Sequence, residues 1–259
     1  MARLNTPAQS RAAARVTRRR VAIAAGVGAA FAVGLVVLVA TPGPGSHHAN
    51  PTAAGQHSGV PGANPTASSY VPPEHWVTLP AGASEVDQMP VGFPHTPLGA
   101  AALAAATVSY AWCDLPDQAA RAASVYASPD QQQEAVTAAT GLVGELRQQA
   151  GMPATGPLPD GAAVQAVPYA VQYTANGPDT VVVDVAFDLE TTPATGQATS
   201  TRPVVVAATM AWLDSAGTGG DWRYTLTPTA STADYPTPAE LGTAPFNRAG
   251  WLAIEGAGG

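Results

Sequence analysis

Asp184, Asp188 and Glu190 fall close together in the run Asp184-Val185-Ala186-Phe187-Asp188-Leu189-Glu190. Carboxylates perform general acid–base chemistry when burial lifts one of them toward neutrality. Here all three lie on one side of an alternating segment, opposite Val181, Val183, Val185, Phe187 and Leu189. That alternation predicts a solvated strand face, where carboxylates keep ordinary acidity, rather than a catalytic pocket. Cys113 is the single cysteine, which excludes an intramolecular disulfide. It follows Trp112 in a helical stretch and reads as a small buried hydrophobe, since no base accompanies it. His47, His48 and His57 lie in a Pro- and Gly-rich stretch, and His75 precedes Trp76; their spacing fits no structural zinc pattern. His95 reads as a packing or hydrogen-bonding residue before the first helix. The chain has no phosphate-binding glycine loop and no Ser-His-Asp signature. No catalytic, cofactor-binding or metal-ligating residue is assigned, and the expected protein is not an enzyme.

The elements around these residues announce themselves by their starts. Thr96 and Pro97 read as the N-cap and first position of a helix, with Leu98, Ala102, Ala105, Val108 and Trp112 on one face. Asp114-Leu115-Pro116-Asp117 starts a second helix running to about Ala127. Ser128-Pro129-Asp130-Gln131 reads as a third start with a capping box, and Ala139, Leu142, Val143 and Leu146 form its buried stripe. Gly151 and Pro153 end that helix. From Ala162 the period becomes two. A first strand carries Val167, Tyr169, Val171 and Tyr173 on a face that Gln165 breaks, and Pro168 marks it as an edge. After Asn176-Gly177-Pro178 comes the acidic strand already described. The stretch from Pro203 to Leu213 is apolar on both faces and reads as central. Gly217-Thr218-Gly219-Gly220 then leads to a strand with Trp222, Tyr224 and Leu226 on one side. The expectation is an α+β fold with three helices over a four-stranded antiparallel curved sheet, over residues 91–230. Val183, Val185, Phe187, Met210, Trp212 and Tyr224 would fill it. A C-terminal extension, 231–259, is expected to be stapled back by Phe246 and Trp251.

Upstream, Arg3, Arg11, Arg15, Arg18, Arg19 and Arg20 give residues 1–20 a charge of +6, and Val21 to Ala40 carry none. This run is long enough for one transmembrane helix, with the basic tail cytoplasmic and the C-terminal domain outside the cell. The alternative is an exported twin-arginine substrate, since Thr17-Arg18-Arg19-Arg20-Val21 resembles such a signal. Gly26, Ala30 and Gly34 have small-x-x-x-small spacing, which permits self-association in a membrane. Residues 41–90, rich in Pro, Gly, Ser and Ala, read as a disordered linker, with Trp76, Val77 and Leu79 as an apolar exception. Beyond residue 40 the chain has 5 arginines and 18 acids, a net charge of −13. So acidic a surface excludes nucleic acid as a partner. All 11 basic residues are arginine and alanine dominates the apolar count, a pattern that reads as codon bias.

The runs Pro90-Val91-Gly92-Phe93-Pro94-His95-Thr96-Pro97-Leu98-Gly99-Ala100-Ala101 and Ala244-Pro245-Phe246-Asn247-Arg248-Ala249-Gly250-Trp251 resemble an actinobacterial family of small membrane-anchored proteins. That family is of unknown function and is met among integrative and conjugative elements; the likeness covers about residues 75 to 254. The layout also looks like the NTF2-like cone of conjugation-channel scaffold proteins in type IV secretion. The resemblance implies protein partners and an extracytoplasmic scaffold or assembly role, with no established activity. The alternative is an envelope module that holds a small apolar ligand. A ligand cavity requires small inward residues at the mouth of the cone, whereas a scaffold requires an exposed apolar or aromatic patch.

Overall fold

Thr96 caps the first helix, α1 (Pro97–Ala111), by accepting a hydrogen bond from the Gly99 N–H at 3.1 Å, with proline in the first turn. Gly99 is required there. A Cβ on it would lie 2.0 Å from the Pro94 carbonyl oxygen. Ala100 to Ala105, with Leu103 among them, are all buried, and these short side chains let the helix lie close on the sheet. The computed structural model describes residues 36–39, 70–214, 219–226 and 238–256, with the backbone alone for 36–39; all belong to one unit, Phe31–Gly259.

Helix α2 spans Pro116–Tyr126, and α3 spans Gln132–Gln149. The third helix therefore starts later than the capping box at Ser128 predicts. The reason lies in what residues 128–131 bond to. The Ser128 N–H donates to the Tyr224 carbonyl at 2.9 Å, and the Gln131 side chain accepts from the Leu226 N–H at 2.8 Å. The segment is held as a turn on a neighbouring strand and the helix begins after it.

A long meander follows: β5 (Ala163–Ala175), β6 (Thr180–Thr192), β7 (Ser200–Leu213) and β8 (Asp221–Thr225), each antiparallel to the one before. The sheet does not stop at four strands. Among the described residues it has seven and is mixed. Strand β9 (Leu252–Ile254) pairs with β5 at Ala170 and Val171, and β2 (Trp76–Val77) pairs in parallel with β9. Strand β5 is thus internal despite Pro168. A bulge between Pro168 and Ala170 absorbs the missing N–H, which the sequence pattern alone read as an edge. A separate hairpin, β3 (Ser84–Val86) with β4 (Met89–Val91), packs against α1, so the fold reaches into the stretch read as linker.

The expected transmembrane helix is also corrected. Among the described residues no helix is long and apolar enough to cross a membrane. Val36–Val39, inside the predicted span, form strand β1, paired with Val204–Ala207 of β7. Among the described residues β8 opposes only Thr209–Leu213, and β1 takes the part of the β7 edge beyond it. Three of the four residues of β1 are β-branched valines, which favour extended backbone as readily as an apolar helix. The remainder of the span, including Gly26, Ala30 and Gly34, lies outside the described residues.

Two layers of side chains enclose the sheet. On one face Leu103, Trp112, Tyr126, Phe187, Met210 and Trp222 pack with the helices. On the other, Tyr169, Ala186 and Val205 are covered by Phe246 and Trp251 of the C-terminal segment, where a short α4 (Ala244–Ala249) precedes β9. The expected staple is a second core. Gly92, Phe93 and Pro94 are tied to β8, because the Asp221 carboxylate accepts from the Gly92 N–H and the Trp222 indole donates to the Pro94 carbonyl.

Arg147, only 4% exposed, holds two loops. Its Nε donates to the Asp114 carbonyl at 2.7 Å and an Nη to that of Gly156 at 3.0 Å. Lysine has no fork and reaches one carbonyl, leaving the other buried without a donor. Arg147→Lys should cost about 1–3 kcal/mol in urea unfolding; an unchanged midpoint would mean these bonds are dispensable.

Candidate ligand cleft

Alanines on two helices face the sheet across a gap. Ala104 and Ala111 of α1 and Ala135 and Ala139 of α3 stand opposite Ala208 and Met210 of β7. Larger side chains at any of these helix positions would close the space. What remains is a cavity of about 70 Å³ that is partly open to solvent. Trp112 lines it and is braced from behind by Phe187, ring edge to ring face at 4.9 Å. Leu142 and Leu226 complete an apolar wall.

Three hydroxyls border this space. Thr107 donates to the Leu103 carbonyl at 2.9 Å, and Thr225 to that of Thr209 at 3.4 Å, so both protons are engaged. Tyr224 differs. Its backbone is held by Ser128, but its hydroxyl makes no hydrogen bond among the described residues, and burial pushes its pKa up. No charged side chain lines the cleft. A second, wider groove of about 660 Å³ runs between the β3–β4 hairpin and α1 and lies open to solvent, so it keeps little of a guest from water.

The acids of β6 stand on the other side of the sheet. Asp184, Asp188 and Glu190 do alternate with the core valines as predicted, but they are half-buried and not freely solvated. Asp184 lies opposite Gln172 of β5 and Ala207 of β7. Gln172 in turn donates to the Ala249 carbonyl of the C-terminal layer at 2.6 Å. Burial raises the Asp184 pKa to about 6, and its Oδ1 is buried with no hydrogen-bond partner. Asp188 is raised as well, by burial first and then by Glu190 and Glu240. A desolvated carboxylate is the first requirement of acid–base catalysis. Asp184 meets it, yet it points away from the cleft, and neither Gln172 nor Ala207 can accept or relay a proton for it.

The remaining candidates have structural partners. His95 Nε2 lies 2.9 Å from Asp179 Oδ1 and 3.1 Å from the Pro178 carbonyl, and its ring stacks on Trp212 at 4.0 Å. It fastens the entry to α1 onto the β5–β6 turn. Cys113 is buried, and burial raises its thiol pKa, which keeps it protonated and unreactive. His75 contributes its backbone carbonyl to Ala253, while His47, His48 and His57 lie outside the described residues. Among the described residues no group of three His, Cys, Asp or Glu side chains is placed to hold a metal.

The cleft alanines are what sequence reading missed. Their signal was the inward position of small residues in α1 and α3, which composition alone assigned to codon bias. Comparison with family models, curated proteins and solved structures finds no match to this chain.

Proposed function

We propose that this protein is a non-enzymatic binding module that takes a small apolar molecule into the cleft between α1, α3 and the sheet. One observation carries the reading: the cleft is lined by small residues, Ala111, Ala138 and Ala139 among them, with no charge in the wall. A core selected only for stability would fill that space, because an unfilled apolar cavity costs about 24 cal/mol per Å³. A channel scaffold calls for a contiguous exposed apolar patch. Among the described residues the large exposed apolar side chains are Tyr70, Trp76, Val86, Leu115 and Tyr173, and each comes from a different segment. The cleft is the better supported site.

A panel of small neutral molecules, alkyl and aromatic, tests this reading by thermal shift. A binding member raises Tm through mass action, by an amount that grows with concentration. Ala139→Leu fills the cleft from a half-buried helical position where leucine is a good helix former, and it should abolish the shift. Failure of every member, or a shift that survives Ala139→Leu, would remove the cleft from consideration.

A further inference from the structure

We infer that the cleft selects a neutral, unbranched aliphatic molecule whose terminal oxygen accepts a hydrogen bond from the Tyr224 hydroxyl. This rests on the reading that the cleft is a ligand site, and three features of its wall narrow the guest. The first is size. An apolar cavity that accepts benzene measures about 150 Å³, and the space here is about 70 Å³. A ring needs about twice that space, whereas an unbranched chain can place one end in the cleft and leave the rest of its length in solvent.

The second feature is hydrogen-bonding capacity. Thr107 and Thr225 direct their hydroxyl protons to the carbonyls of Leu103 and Thr209, so toward a guest they offer lone pairs alone. Tyr224 lines the same wall, and its hydroxyl makes no bond among the described residues. Burial disfavours its phenolate, so it remains a donor at neutral pH. Tyr224 is only half-buried, so water can reach its hydroxyl, and an oxygen on the guest takes the place of that water.

The third feature is charge. A carboxylate brought into this wall would lose its hydration and meet no cation, since no arginine lines the cleft. The chain beyond residue 40 has a net charge of −13, which also opposes an anion. The class that fits is therefore a long-chain alcohol, aldehyde or ester, and an ionised fatty acid does not fit.

Titration calorimetry on the full chain at pH 7 distinguishes these terms with four probes: octan-1-ol, octanoate, octane and naphthalene. Octan-1-ol should bind at least tenfold more tightly than octanoate, and naphthalene should not bind. Tyr224→Phe removes a hydroxyl that bonds nothing in the protein, so the variant should keep the parent Tm. It should weaken octan-1-ol about tenfold and leave octane unchanged. Ala139→Leu serves as the site control for every probe. Naphthalene or octanoate binding as tightly as octan-1-ol, and lost in Ala139→Leu, overturns the inference while the cleft remains a ligand site. Unchanged octan-1-ol affinity in Tyr224→Phe overturns it too. No binding by any probe overturns both.

Discussion

Asp184→Asn should stabilise the protein at pH 7 by an amount that disappears as the pH falls to 4. The carboxyl is half buried on the central strand, its Oδ1 has no partner, and burial alone raises its pKa from 3.8 to about 6. A raised carboxyl pKa means that the native state binds the proton more tightly than the unfolded chain. The associated stability is complete below about pH 4 and is lost as pH rises through about 6. Two pKa units correspond to about 3 kcal/mol. Asparagine removes the buried charge but adds an amide N–H that needs a partner, at a cost of about 1 kcal/mol or more. The net gain at pH 7 should be about 1–2 kcal/mol, falling to zero or slightly below at pH 4. Urea unfolding of both proteins from pH 4 to 8 measures the difference. A variant that is less stable at pH 7 would show that the carboxylate has a partner and that burial does not control it.

The same residue shows where the sequence was legible and where it was not. The alternation of Val181, Val183, Val185, Phe187 and Leu189 against Asp184, Asp188 and Glu190 correctly separates the two faces of β6, because period two is a property of the backbone. What covers the second face is a property of residues some sixty positions later. Phe246 and Trp251 looked like a staple on a tail, and they bury Tyr169, Ala186 and Val205 beneath a separate layer. Local signals also marked α1 and α2 well, since Thr96, Pro97 and Pro116 act within one turn. At α3 the local signal lost to long-range bonds from Ser128 and Gln131 to β8. The extra strands were invisible for a related reason. Trp76–Val77 and Leu252–Ile254 are too short to show a period, and only pairing with β5 and with each other makes them strands. The cleft was harder still. An absence of side-chain volume leaves no periodic mark, and in a chain so rich in alanine the positions that matter are known only once they face one another.

Phe187→Ala should produce the largest loss of stability and should also change what the cleft accepts. Phe187 is fully buried on β6 and meets Trp112 edge to face at 4.9 Å. Truncating a buried phenylalanine costs about 3–5 kcal/mol, the transfer free energy of the ring plus that of the space left behind. Trp112 separates Phe187 from the cleft, and its indole is the wall that the ring supports. Without that support the space vacated by Phe187 adds to the cleft's 70 Å³. The enlarged cavity should then admit a ring such as naphthalene, which the parent excludes, and binding should recover part of the lost stability as the probe concentration rises. Urea unfolding with and without naphthalene reads both effects in one experiment. A loss below about 1 kcal/mol would place Phe187 outside the core. A full loss with no rescue by naphthalene would mean that Trp112 collapses into the gap. The width of the cleft would then be set by the tryptophan and not by the phenylalanine that backs it.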